Sequence, residues 1–253
     1  MKETIQFDKV ADIYDFYVNV NFDIPFFIKE TDGYKGEILE LMCGTGRVSI
    51  PLLDSGRHMI CVDYSKGMLN SFERKIKNKN YPVNLVQMDV TNLKLDKKFG
   101  LIILPFHSIS EIISTDLQIK ALQSISSHLE KDGVFILTLQ NPKTRLILAE
   151  GITRVMGRFS IDESRHLIIS YMNQYNESDK IVTGLQFYEI YDSMNILIEK
   201  RYLEINFKPV ADSELRSMIK AAGLEIVEMY GDYSYGRFDE EKSNFMIYKM
   251  TKN

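Results

Sequence analysis

Ile38-Leu39-Glu40-Leu41-Met42-Cys43-Gly44-Thr45-Gly46-Arg47-Val48-Ser49 decides how this chain is read. An apolar run carrying one acid breaks into a glycine turn and passes directly into a helix-like pattern. Glycine permits positive φ and lets a ligand lie against bare backbone, where a Cβ would stand in the way. A strand that ends in such a turn before a helix opens a crevice at the carboxyl edge of a parallel sheet. Gly44 and Gly46 are therefore candidate ligand-cradle residues, and the N–H groups of the following helix face the same crevice.

Downstream of Glu37, short apolar runs alternate with helical periodicity. The pattern predicts strands near 37–42, 58–63, 83–88, 99–104 and 133–139, with helices near 46–55, 66–79 and 115–129. Such alternation implies βαβ units and a parallel sheet. Upstream, Phe7, Val10, Ala11, Tyr14 and Val18 recur at helical spacing and predict an opening amphipathic helix. A second short helix is predicted over Phe26-Phe27-Ile28. Past Asn141-Pro142 the character changes, and residues 158–208 carry long β-like runs separated by Asn176-Glu177-Ser178-Asp179 and Asp192-Ser193-Met194-Asn195. That is the pattern of an antiparallel meander. A helix near 211–222 stops at Gly223, a C-cap residue, and runs from Leu224 and Asn244 read as closing strands. The expected organisation is a helical cap over 1–35, a nucleotide-fold core over 36–141, a β insertion over 142–210 and a C-terminal return to the core over 211–253.

At 253 residues, 45% hydrophobic and 26% charged, the chain has the composition of a globular protein with a full core. A net charge of −4 offers no basic field, so nucleic acid is not expected as a partner. No apolar run reaches membrane-spanning length, and Met1-Lys2-Glu3-Thr4-Ile5-Gln6 does not read as a signal peptide. Cys43 and Cys61 fall on neighbouring inner strands and read as buried free thiols, which fits a reducing cytoplasm. The histidines at 58, 107, 128 and 166 lack metal-ligand spacing, so no metal is expected.

Two more acids stand at strand ends. Asp63 lies about 20 residues beyond the glycines, the spacing of a carboxylate that accepts both ribose hydroxyls. Its alternative is to cap the helix that begins near Lys66, a task Ser65 could equally perform. Asp89 closes the third strand and is either a crevice residue or a solvated loop acid. Glu40 lies near the end of a buried strand, where an acid needs partners. Arg47, just past the turn, could pair with a surface acid.

The opening stretch resembles the first motif of class I S-adenosylmethionine-dependent methyltransferases, acid-x-Gly-x-Gly-x-Gly. Glu40, Gly44 and Gly46 fall on the acid and the last two glycines, while Met42 stands at the first. A nicotinamide dehydrogenase would need a third glycine where Ser49 stands. The resemblance implies an α/β, Rossmann-like seven-stranded sheet with an antiparallel last strand and an antiparallel β insertion between strands five and six. It also implies S-adenosyl-L-methionine as cofactor and S-adenosyl-L-homocysteine as product. By the same resemblance Glu40 organises the loop and the methionine end of the cofactor. Asp89 accepts from the adenine amino group, with Met88 and Val90 beside the ring. Met68 and Leu69 pack on adenine, although core packing accounts for them equally. Met42, Tyr64 and Leu104 complete the implied cofactor wall.

The stretch Leu104-Pro105-Phe106-His107-Ser108-Ile109-Ser110-Glu111 lacks the Asn/Asp-Pro-Pro-aromatic motif of methyltransferases acting on nucleic-acid bases or glutamine. It resembles instead the Phe-x-Ser-x-x-(His/acid) stretch of small-molecule methyltransferases, including amino-sugar N-methyltransferases. Glu111 then stands at a candidate base position, or forms a capping box with Ser108. His107 has the ordinary pKa of a base, or is a packing residue. Ala11-Asp12-Ile13-Tyr14-Asp15-Phe16-Tyr17 resembles the family's Tyr-Asp-x-x-Tyr stretch, so Tyr14 is a candidate catalytic and cofactor-binding residue, with packing as its alternative. Candidate substrate-wall residues are Phe106, Tyr171, Asn173, Tyr175, Gln186, Tyr188 and Arg201. Arg154, Arg158 and Arg165 either receive an anionic group or lie solvated. The expected function is methyl transfer to nitrogen or oxygen of a small molecule, driven mainly by positioning. The alternative is a non-catalytic binding protein that retains the fold.

Overall fold

The structure, a computed structural model, describes residues 5–252. Residues Met1 to Thr4 of the segment read above as no signal peptide lie outside the described residues.

Strands β1 (Glu37–Leu41), β2 (His58–Asp63), β3 (Val83–Gln87), β4 (Phe99–Leu104) and β5 (Leu129–Gln140) form the parallel part of a seven-stranded sheet. The meander follows as β6 (Arg154–Ser160), β7 (Arg165–Asn176), β8 (Ile181–Asp192) and β9 (Leu197–Phe207), a separate four-stranded antiparallel sheet. β10 (Leu224–Tyr230) and β11 (Phe245–Lys252) then return to the large sheet, whose order is β10-β11-β5-β4-β1-β2-β3. β11 runs antiparallel to both β5 and β10. The expected fold, with its β insertion after the fifth strand, is the one observed.

Alternation along each strand explains the layering. On β1, Leu39 and Leu41 join one core cluster and Ile38 the other; on β2, Ile60 and Val62 face Met59 and Cys61 in the same way. Strands buried on both faces need helices on both. In chain order these are α1 (Tyr14–Tyr17), α2 (Ile24–Glu30), α3 (Ser49–Asp54), α4 (Lys66–Ile76), α5 (Thr115–His128), α6 (Pro142–Leu146) and α7 (Asp212–Ala221). Phe26, Phe27, Leu52, Leu53, Leu69 and Phe72 bring α2, α3 and α4 to one face. Ala121, Leu122, Ile125, Leu215, Met218 and Ile219 bring α5 and α7 to the other. Strand order reverses between β1 and β4, the switch point at which crevice ligands bind in open α/β sheets.

The continuous opening helix is not formed. A 3-10 turn at Phe7–Lys9 and the single turn of α1 replace it. Val10, Ile13, Tyr14, Phe16, Tyr17 and Val18 are β-branched or aromatic and lose side-chain freedom in a helix. Tertiary bonds break the ladder as well, since the Ser71 hydroxyl donates to the Ala11 carbonyl at 2.8 Å. Val10 and Ile13 are buried with Leu167, Ile169, Tyr188 and Leu203, so the segment straps the meander to the core.

Candidate active site

The glycine turn carries three positive φ angles: Met42 at 54°, Gly44 at 58° and Gly46 at 83°. Only Gly46 is excluded from bearing a side chain by crowding, because a Cβ there would lie 2.6 Å from the Phe72 ring. At Gly44 an added Cβ would meet no atom within 4 Å, and Gly44 lines a cavity of about 300 Å³. That residue leaves bare backbone for a ligand. The cavity wall is drawn from the ends of β1 through β4, including Met42, Asp63, Met88, Asp89 and Phe106.

Asp63 organises this wall. Gly44 N–H donates to its Oδ2 at 2.7 Å and Ser65 N–H to its Oδ1 at 2.8 Å. Each oxygen keeps acceptor capacity, since a carboxylate oxygen can take a second donor. Helix α4 is capped by Ser65, whose Oγ accepts from Met68 N–H at 3.1 Å, so capping does not consume Asp63. Asp89 accepts from Thr91 N–H at 2.8 Å and also lines the cavity, combining turn and wall. Glu40 is 1% exposed, and the Ser49 hydroxyl donates to its Oε2 at 2.5 Å. Burial raises its pKa to about 8, against the opposing pull of the Ser49 bond and the Arg47 charge.

Tyr64, Met68 and Val90 also line the cavity. Leu104 does not; it is fully buried in the core, and the adjacent Pro105 forms the wall. Gly46 and Leu69 lie behind the lining. Arg47 finds a different partner from the surface acid expected of it. Its guanidinium donates to both oxygens of Asp23 at 2.6 Å, and Asp23 is fully buried. The same guanidinium sits 4.3 Å over the Phe106 ring, anchoring the wall by charge and cation–π contact.

Tyr14 reaches the cavity from the N-terminal strap, its ring edge-on to Phe7 at 6.0 Å and Tyr17 at 5.3 Å. Burial, and then the Glu111 charge, raise its pKa, so the phenol stays neutral. Glu111 lines the same cavity. Its capping alternative fails, because α5 is capped by Ser114 and the Ser108 hydroxyl donates instead to the Pro105 carbonyl. Among the described residues no donor reaches the Glu111 carboxyl. Burial pushes its pKa to about 8, opposed by the Arg145 charge.

Phe106 and His107 are both left-handed, at φ 59° and 55°, held by Thr138 through Phe106 N–H to its Oγ1 and His107 N–H to its carbonyl. Two consecutive strained residues mark a position the surroundings enforce. Their rings stack at 4.6 Å, yet Phe106 lines the first cavity and His107 a second one, of about 440 Å³. Burial first, then the charges of Arg145 and Arg47, depress the His107 pKa, so its imidazole is neutral.

The second cavity lies against the meander, with Tyr171, Asn173 and Gln186 in its wall. Tyr171 pairs with Gln186 across β7 and β8, which puts them on one face. The remaining substrate-wall candidates lie elsewhere. Tyr188 is fully buried; its hydroxyl donates to Gln186 at 2.8 Å and contacts the Tyr17 hydroxyl at 3.1 Å. Tyr175 packs beside Val182 and Phe207. Arg201 is spent on Asp12, Glu199 and the Lys9 carbonyl, tying the strap to β9 outside the cavity. Arg154 and Arg165 make surface pairs with Glu150 and Asp162, and Arg158 is exposed. Sequence reading passed over Arg145, which lines the second cavity from α6. Its only signal was its place one turn after Asn141-Pro142.

Sheet order, switch-point cavity and inserted meander together define a class I methyltransferase fold. Residues 38–133 match the family model described as a methyltransferase domain, and the chain is an S-adenosylmethionine-dependent methyltransferase. The putative methyltransferase YqeM of Bacillus subtilis is 21% identical over 207 residues, covering 79% of this chain and 78% of that protein. Ribosomal RNA small subunit methyltransferase A of Mesomycoplasma hyopneumoniae is 24% identical over 169 residues, 64% of this chain and 62% of that protein. The crystal structure of an S-adenosylmethionine-dependent methyltransferase from Clostridium acetobutylicum superposes with a TM-score of 0.82 at 21% identity, covering 98% of this chain and 99% of that one. The bare backbone at Gly44 and the spare acceptor capacity of Asp63 fit such a cofactor.

Proposed function

We propose that this chain methylates nitrogen or oxygen of a small molecule seated in the second cavity, at the Phe106–His107 step. The observation that carries this reading is that step itself, one strained dipeptide whose two rings face two different cavities. Asp63 would hold the ribose hydroxyls, Asp89 the adenine amino group, and Glu40 the methionine end. S-adenosylmethionine, when bound, supplies an electrophilic methyl carbon on a sulfonium.

The chain's own task is then to hold a nucleophile in line, and orientation can contribute about 7–11 kcal/mol of a barrier. Tyr14 offers a neutral phenol as hydrogen-bond donor above the transfer position. Glu111, unspent in any cap, is the group available to take a proton from an ammonium or hydroxyl. Its raised pKa brings it near working pH, where a general base is most effective. Neutral His107 positions by packing, its ring stacked on Phe106. A net charge of −4 weighs against ribosomal RNA as the substrate. Buried free Cys43 and Cys61 suit a reducing compartment such as the cytoplasm.

Incubation with S-adenosylmethionine and panels of amines, alcohols and carboxylic acids, read by mass spectrometry, tests the proposal. Cofactor binding without turnover on any panel would favour a binding protein instead.

A further inference from the structure

The second cavity holds a guanidinium that feels the charge of Glu111 in the wall of the first cavity but is given no hydrogen-bond acceptor by the fold. Arg145 makes no side-chain hydrogen bond or ion pair among the described residues, and its Nη1 is sealed from solvent without an acceptor. A buried charged donor left unpaired is costly. Arg47 is treated differently by the same fold, which gives it both oxygens of a buried aspartate.

Arg145 is also firmly placed. Asn141 caps its short helix by accepting from Lys143 N–H at 3.1 Å, and donates to the carbonyls of Glu240 and Ser243 at 2.9 Å. The guanidinium carbon lies 3.9 Å over the Phe207 ring. That contact fixes the plane of the group by cation–π attraction and leaves its edge for a planar partner. Among the described residues it is the one charged side chain in a wall otherwise made of neutral groups such as Gln140, Asn173 and Gln186. Toward the rim the lining turns apolar, with Leu148, Val155 and Met156 exposed.

We propose that Arg145 makes the second cavity a receptor for the carboxylate of a small molecule with an apolar body. One fixed positive charge balances one negative charge, and a carboxylate meets the guanidinium fork in two parallel hydrogen bonds. A phosphate dianion would leave a charge unmatched in a wall of neutral groups. The carboxylate anchors at Arg145 and the apolar part lies against Val155 and Met156. This inference rests on the methyl-transfer reading only for calling that molecule the substrate.

Benzoate and its uncharged isostere benzamide, titrated against the full chain at low salt, test it by ligand-observed saturation-transfer NMR. Benzoate is expected to bind at least about tenfold more tightly. Arg145→Gln should erase that preference, and Arg145→Lys should keep part of it, with circular-dichroism melts checking that both variants fold. Equal affinity for the two probes overturns the proposal, as does undiminished benzoate binding by folded Arg145→Gln. Inorganic phosphate displacing benzoate at lower concentration than benzoate itself also overturns it, in favour of a phosphate subsite. Benzoate selectivity in a chain that methylates nothing keeps this site and removes the methyl-transfer reading. Turnover of uncharged substrates without benzoate selectivity does the reverse.

Discussion

The two cavities are built by different means. The first is made from backbone: three positive φ angles, two N–H groups on Asp63, and strand ends held in register by a parallel sheet. The second is made from side chains of a meander, a short helix and one loop, brought together over long sequence separations. Backbone construction tolerates almost no change at its turns, whereas side-chain construction tolerates change and thereby sets what is recognised.

The sharpest way to break this contrast is at the glycines. Gly46→Val would drive a β-branched residue into φ 83° and against Phe72, and Gly44→Val would put a side chain where the backbone lines the cavity. Both are expected to abolish S-adenosylmethionine binding in a calorimetric titration, while no single change in the second cavity does so. If Tyr171→Ala or Asn173→Ala removed cofactor binding equally, the division of labour would fail.

Next in size, Glu111→Gln is expected to lower kcat by about a hundredfold, the lower end of general-base effects, with cofactor affinity held. Tyr14→Phe should lower kcat less. Wild-type rates in both would leave positioning alone as the source of catalysis.

A smaller effect concerns pH. Glu40 and Glu111 have folded pKa values of about 8 against an ordinary 4.5. Between those values the unfolded chain has lost these protons and the native chain still holds them, so stability falls as pH rises from about 4.5 to about 8. Thermal melts of the cofactor-free chain should show this decline, and Glu40→Gln should flatten part of it. A melting temperature that rose through the window would contradict the buried, protonated acids.

The smallest effect separates strain from contact. Met42 carries φ 54°, and a left-handed non-glycine residue costs about 1–2 kcal/mol. Met42→Gly should relieve that strain and keep cofactor binding, at the loss of the side chain's packing against the core. Abolished binding would make the methionine side chain part of the cradle.

How much of this was legible beforehand depends on the range of the interactions. Strand ends, glycine turn and acids were readable because each is a local pattern: apolar runs of strand length, residues that permit positive φ, carboxylates at fixed offsets. The capping role offered to Glu111 failed because Ser114 begins the helix three residues later. The opening helix failed because its apolar spacing serves two different neighbours, the meander for Val10 and the first cavity for Tyr14. Arg201, expected in the substrate wall, lies outside it, and Arg145, of which nothing was expected, lines the second cavity, for the same reason. Nothing in the sequence around Arg201 foretells Asp12, some 189 residues away, and nothing around Arg145 foretells that no acceptor comes near it.

From the sequence alone came the sheet and its glycine turn, because turn chemistry and strand periodicity act within a few residues, while the cofactor class came with the family resemblance those residues carry. The tertiary structure decided which arginine is left without an acceptor, which face of the meander lines a cavity, and that the stacked Phe106 and His107 line different cavities. Those outcomes depend on which surfaces meet around the second cavity, where β7 and β8 share a wall with His107 and Arg145, a matter of packing that local spacing does not encode.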